Sequence, residues 1–217
     1  METGIEGLDA LIEGGLIRGD VHLLAGGPGT GKSIFAGNFV YNTLSKGGEK
    51  AIYATFEESA EYYKRNLKRV GIELGALEKA KNLRIIDLEA LRGKELEANI
   101  SLLLSAIKET GSTIFVIDSL TALLYACETR FELRTFMKTL YKSLKEQGTT
   151  TLMTISLPDG ATIGTEGFIA DSVMLLENWM DSSQFKTRFV VLKMRGTNHS
   201  KKYHSVILSP RLSISKF

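Results

Sequence analysis

Along the chain, short apolar runs alternate with longer segments in which apolar positions recur every three or four residues. That alternation predicts strands and amphipathic helices in turn, the pattern of an α/β fold around a mostly parallel central sheet flanked by helices. VHLLA at 21–25 predicts a buried strand, and SIFAGNFVYNTLSK after it a helix. KAIYATF predicts the next strand, followed by a helix through AEYYKRNLKRVG that stops at Gly71. LRIIDL predicts a third strand, LEANISLLLSAIKETG a helix ending at Gly111, and TIFVID a strand over 113–118. RFELRTFMKTLYKSLKEQG predicts an amphipathic helix and TTTLMTIS a further strand. Beyond Ser156 the composition changes. LPDGATIGTEG predicts a loop, and DSVMLLEN, FKTRFVVLKMR and YHSVILS follow with no room for helices between them, so C-terminal antiparallel strands appended to the sheet are expected.

The 217 residues, 43% of them hydrophobic, suffice for one core, and one domain over 1–217 is expected. A formal net charge of +2 advertises neither nucleic acid nor an anionic membrane. The lone Cys127 excludes an intramolecular disulfide framework and fits a reducing compartment. No signal-peptide pattern and no membrane-length apolar run is present, so a cytoplasmic protein with no membrane association is expected.

GGPGTGKS, Gly26 to Ser33, fits G-x-x-x-x-G-K-[ST] at every required place, between a predicted strand and a predicted helix. Backbone N–H groups of Gly27, Pro28's neighbours, Gly29, Thr30 and Gly31 can wrap a β-phosphate, and the helix N-terminus adds its positive end. Lys32 is expected to reach the β- and γ-phosphates, and the Ser33 hydroxyl to ligate Mg2+. Asp118 closes the apolar strand TIFVID at the edge where open α/β sheets bind ligands, which suits a direct or second-shell magnesium carboxylate. Alone, such an aspartate could equally cap a turn. ATP hydrolysis also needs a group to orient or deprotonate water, and ATFEES offers Glu57 and Glu58 side by side. Alternation places Tyr53, Thr55 and Glu57 in one direction, so one glutamate of the two is expected to meet the γ-phosphate. The competing reading is that EES starts the next helix.

KMRGTNH, 193–199, ends an apolar run. Lys193 and Arg195 are two apart on a predicted strand, so both leave one face about 6.6 Å apart, and like charges that close call for an anion such as a triphosphate. A solvated basic edge strand is the alternative. His199, in a polar turn, is a weaker candidate nucleotide contact.

Together the lead-in TGIEGLDALIEGGLIRGD, the phosphate loop, YATFEES, VIDSLTAL, IGTEGFIADSVMLL and KMRGTNH resemble the KaiC-like family of RecA-type ATPases, over nearly the whole chain. The resemblance implies a RecA-like P-loop core and an ATPase with ATP and Mg2+ as cofactors. It also implies a homo-oligomer, commonly a hexamer, with ATP sites between subunits. Asp118 is then the Walker B residue, and Glu57 and Glu58 are the water-activating positions. By the same resemblance, Lys193 and Arg195 act in trans on the γ-phosphate held by a neighbour. The chain departs from those family members that carry two such units in tandem, having one phosphate loop, and Ser156 stands where a relaying carboxylate or amide is expected. A regulatory switch is the expected role. The runner-up is a RadA-paralogue-like module binding single-stranded DNA, supported by Lys186, Arg188, Lys193, Arg195, Lys201, Lys202, Arg211 and Lys216. Pro158 to Phe168, where related recombinases contact DNA, holds no Lys or Arg, which weakens it. Autophosphorylation at Thr162 or Thr165 is a third and less supported reading.

Overall fold

The computed structural model describes residues 1–88, 94–158, 162–208 and 211–215. The strands are β1 (Val21–Gly26), β2 (Ala51–Thr55), β3 (Leu83–Asp87), β4 (Ile114–Asp118), β5 (Thr150–Ser156), β6 (Ser172–Asp181), β7 (Gln184–Met194), β8 (His204–Ile207) and β9 (Ser213–Ser215). They form one sheet in the order β3-β2-β4-β5-β1-β6-β7-β8-β9. The helices are α1 (Leu8–Leu11), α2 (Lys32–Ser45), α3 (Ala60–Arg69), α4 (Gly75–Lys79), α5 (Lys94–Thr110), α6 (Leu120–Tyr125), α7 (Arg130–Gln147) and α8 (Thr165–Ile169).

Alternate residues of the central strands feed two cores. Leu24, Tyr53, Val116 and Leu152 face Phe35 and Phe39 of α2 and Tyr63 and Leu67 of α3. Leu23, Ile52, Ile117 and Met153 face Leu103 and Ile107 of α5 and Leu140 and Leu144 of α7. Because both faces are covered, these strands are buried along nearly their whole length and mostly apolar rather than alternating, which is why they stand out in the sequence.

The α/β architecture with C-terminal antiparallel strands agrees with the sequence reading, but one strand direction does not. DSVMLLEN was expected to run antiparallel; β6 is parallel to β1, with His22 opposite Ser172 and Gly26 opposite Leu176. The intervening segment, which includes the short helix α8, carries the chain back to the other end of the sheet, as a parallel connection requires. Antiparallel pairing begins only at β6–β7 and continues through β8 and β9.

Helix ends follow local chemistry. Ser59 caps α3 by accepting the Tyr62 N–H, and Thr129 with Glu132 forms a reciprocal capping box on α7. Gly148 ends α7 at φ 66°, a conformation that costs glycine nothing.

Candidate active site

The phosphate loop leaves β1 at Gly26 and enters α2 at Lys32, at the carboxyl edge of the sheet. Gly29 and Gly31 take φ of 72° and 91°, left-handed dihedrals of the kind that let successive backbone N–H groups converge on an anion and that glycine adopts without steric cost. Thr30 is buried and its hydroxyl donates to the Gly27 carbonyl at 2.8 Å, while Pro28 and Gly29 are exposed at the loop's crest. The Lys32 ammonium donates to the Gly26 and Gly27 carbonyls at 3.0 and 2.9 Å. Burial lowers its pKa, partly offset by the carboxylates of Asp118 and Glu57, so the cation lies within electrostatic reach of both. Ser33 is exposed on the first turn of α2, and its carbonyl accepts the Tyr63 hydroxyl at 3.3 Å.

Asp118 is 9% exposed at the end of β4. One carboxylate oxygen accepts the Tyr53 hydroxyl and the other the Thr154 hydroxyl, each at 2.5 Å. Strand register explains the grouping. Tyr53 lies opposite Val116, and Val116 opposite Leu152, so Tyr53, Asp118 and Thr154 point to the α2 side of three adjacent strands. Tyr53 stacks on Tyr63 with ring centroids 4.5 Å apart. Sequence reasoning missed the roles of Tyr53 and Thr154 because inter-strand register is not written in any one segment.

Glu57 and Glu58 do not belong to β2, which ends at Thr55, so the alternation argument stops before it reaches them. Both are exposed in the bend before the Ser59 cap, and neither lies inside α3. Glu57 accepts the Ser119 hydroxyl at 2.5 Å, from the residue after Asp118. The pKa of Glu58 is raised, first by burial and then by the charges of Asp118 and Glu57, the direction that improves a carboxylate as a proton acceptor. Ser156 ends β5 directly opposite Gly26, and its N–H donates to the Thr121 hydroxyl at 2.8 Å. A cavity of about 400 Å³ beside the loop is lined by Gly27, Pro28, Thr30, Leu157, Thr162 and Ile163.

The donor set fits Mg2+ with a nucleotide. A serine hydroxyl and a carboxylate are hard oxygen ligands, and magnesium is ordinarily completed by substrate phosphates rather than by a protein cage. The described residues hold no group of three or more His, Cys, Asp or Glu able to bind a metal unaided.

Lys193 and Arg195 are brought together, as their spacing predicts, but far from this loop. Lys193 pairs with Val173 at the start of β6, whereas Gly26 pairs with Leu176. Three residues of strand are about 10 Å, and Arg195 lies further along. Both cations have partners in their own chain. Lys193 Nζ donates to the carbonyls of Gly167, Phe168 and Ala170 at 3.1, 3.1 and 2.6 Å, at the end of α8. Arg195 donates to Asp171 at 3.1 Å and to the Phe168 carbonyl at 3.3 Å. Burial and the Arg195 charge lower the Lys193 pKa. His199 is half-buried on the turn that follows, its Nδ1 2.9 Å from the Ser200 carbonyl. That turn packs on the N-terminal lead-in: Ser200 N donates to Leu11 O at 2.9 Å and Asn198 N to Glu13 Oε2 at 3.0 Å.

A family model described as the KaiC ATPase matches residues 1–215. The chain is 34% identical over 211 residues to the circadian clock oscillator protein KaiC of Parathermosynechococcus lividus, covering 92% of this chain and 39% of that protein. It is 32% identical to the protein of the same name in Synechococcus elongatus, covering 93% of this chain and 41% of the other. The chain therefore spans about two fifths of the length of the curated relatives it matches. Among solved structures, a KaiC-like protein from the archaeon Pyrococcus horikoshii superimposes with a TM-score of 0.90 at 30% identity, covering 100% of this chain and 98% of that one.

Proposed function

Since this chain belongs to the KaiC family of ATPases, we propose that it hydrolyses ATP in a magnesium-dependent reaction at sites completed between protomers of a ring, and that the cycle serves as a regulatory switch. As a KaiC-like protein of the RecA superfamily it binds ATP. When bound, magnesium and the triphosphate supply a polarised γ-phosphoryl group as electrophile; the rest falls to side chains of this chain. Lys32 would leave the Gly26 and Gly27 carbonyls for the β- and γ-phosphates. Ser33 and Asp118 would hold the metal or its waters, with Asp118 oriented by Tyr53 and Thr154. Glu57 and Glu58 would orient and deprotonate the attacking water.

The observation that carries the intersubunit reading is the separation of the two halves of the site. Lys193 and Arg195 project from the end of the sheet opposite their own phosphate loop, so a nucleotide they touch belongs to another protomer. An arginine delivered from outside stabilises charge that develops on the transferred group. The solution mass with and without ATP and magnesium tests this, together with turnover of Arg195→Ala. The expected result is a hexamer appearing or tightening with nucleotide, and a variant that keeps ATP binding while losing about 100-fold or more in kcat. A monomer under all conditions, or equal turnover in the variant, would overturn the reading.

A further inference from the structure

The Lys193–Arg195 segment is fixed by one carboxylate that no motif marks. Asp171, between α8 and β6, is 5% exposed. Its Oδ1 accepts from Arg195 Nη1 at 3.1 Å and from the Tyr141 hydroxyl at 2.8 Å. Its Oδ2 accepts from the Val21 N–H at 3.0 Å and from Lys145 Nζ at 3.3 Å. The Asp171 carbonyl also accepts the Arg195 backbone N–H at 3.1 Å, so main chain and side chain of Arg195 are held from a single residue. Against the effect of burial, the Val21 N–H, the Tyr141 hydroxyl and the Lys145 ammonium keep the carboxyl pKa below its ordinary value.

The arrangement aims the guanidinium. Its Nη1 and Nη2 each spend an N–H inward, on Asp171 and on the Phe168 carbonyl, while the side chain is 53% exposed. A planar fork with five N–H groups can thus be anchored along one side and still offer donors to an anion arriving from outside. An arginine on the surface with no such anchor would sample many rotamers and meet a phosphate in few of them.

We infer that Asp171 is the positioning residue of the trans arginine, holding Arg195 in the orientation in which it meets the neighbouring protomer's γ-phosphate. This rests on the intersubunit site proposed above. Asp171 itself touches no nucleotide, and it stands at the end of β6 remote from its own phosphate loop. Loss of its charge is therefore expected to act on the neighbour's site and to spare its own.

The test is Asp171→Asn, isosteric but uncharged, with Asp171→Glu as the second variant should the first fail to fold. The expected result is a kcat lowered about tenfold with the KM for ATP within about twofold of the parent. The decisive readout is mixing. Glu57→Gln/Glu58→Gln protomers are expected to bind ATP without hydrolysing it, yet they carry an intact Asp171 and Arg195. Co-assembled with Asp171→Asn protomers, they are expected to restore turnover at the phosphate loops of the latter. An unchanged kcat, or a loss that mixing leaves in place, would overturn the inference. The same mixture made with Arg195→Ala separates the two layers: rescue of Arg195→Ala without rescue of Asp171→Asn sinks only the positioning role, whereas failure to rescue Arg195→Ala sinks the intersubunit site as well.

Discussion

The Tyr53 hydroxyl donates to the Asp118 carboxylate at 2.5 Å, linking the middle of β2 to the end of β4. Burial and the Asp118 charge raise the Tyr53 pKa well above its ordinary value, so the phenol remains a donor at any working pH. Among the described residues, Tyr53→Phe leaves the buried carboxylate with the Thr154 hydroxyl as its hydrogen-bond donor. Hydrogen bonds to charged groups contribute about 1.5–3 kcal/mol, and a loss of that order in urea unfolding is expected. The magnesium-dependent part of ATP affinity should fall as well. In a cycle with Thr154→Val the two losses should be non-additive, because both hydroxyls serve one carboxylate.

Gly31 enters α2 with φ 91°, and a Cβ built there would stand 2.5 Å from Leu208 Cδ2. Gly31→Ala therefore combines a left-handed backbone, at about 1–2 kcal/mol, with displacement of the Leu208 side chain. Relaxing either moves the backbone N–H groups of the loop proposed to hold the phosphates. A drop in ATP affinity of about tenfold or more by calorimetry is expected, alongside a lower unfolding midpoint; unchanged affinity would show that the loop does not depend on this dihedral.

The parts of this architecture that were legible in the sequence are those whose signal is local. VHLLA and TIFVID are apolar because both faces of their strands are covered, and GGPGTGKS must be glycine-rich to turn as it does. The direction of β6 was not legible, since an apolar strand looks the same whichever way its neighbours run, and TEGFI is too short to show helical period. The Lys193 and Arg195 spacing announced a shared face, but the Asp171 that holds Arg195 could not be found without knowing that β1, α7 and β6 meet at it. Glu57 and Glu58 show the opposite failure: the residues were evident, and the strand geometry assumed for them ended two positions earlier.

The basic C-terminal region is largely spoken for within the chain. Lys186 pairs with Asp181, Arg188 with Glu177 at 3.0 Å, and Arg195 with Asp171 at 3.1 Å. Lys193 is engaged by three carbonyls, and Lys216 lies outside the described residues. Exposed Lys201, Lys202 and Arg211 are what remain for a phosphate backbone. Oligonucleotide binding titrated against salt should then show a log–log slope no steeper than about −2, at about −0.7 for each phosphate truly contacted on a single strand. A steep slope would revive the single-stranded-DNA reading.

His22 supplies a pH dependence of stability that is separate from catalysis. The ring is fully buried at the start of β1, with Nδ1 2.7 Å from Ser172 Oγ and Nε2 3.1 Å from the Ile17 carbonyl. Burial lowers its pKa from 6.5 to about 4, so the folded ring is neutral, donating from Nε2 to the carbonyl and accepting from the serine. Above pH 6.5 the ring is neutral in both states and contributes no slope. As pH falls through 6.5 the unfolded chain takes up a proton that the folded chain refuses, so stability declines until about pH 4, where the folded ring also protonates. Between pH 7.5 and 5 the loss from this residue should be about 2 kcal/mol. Asp171, whose pKa is lowered, acts in a different window: its contribution is present above the ordinary carboxylate range and disappears only as pH falls below it. Urea unfolding of the parent and His22→Gln at the two pH values isolates the histidine, because the slopes are compared and not the absolute stabilities. A parent whose stability declines no more than that of His22→Gln would mean that the ring is protonated, or solvated, in the native state.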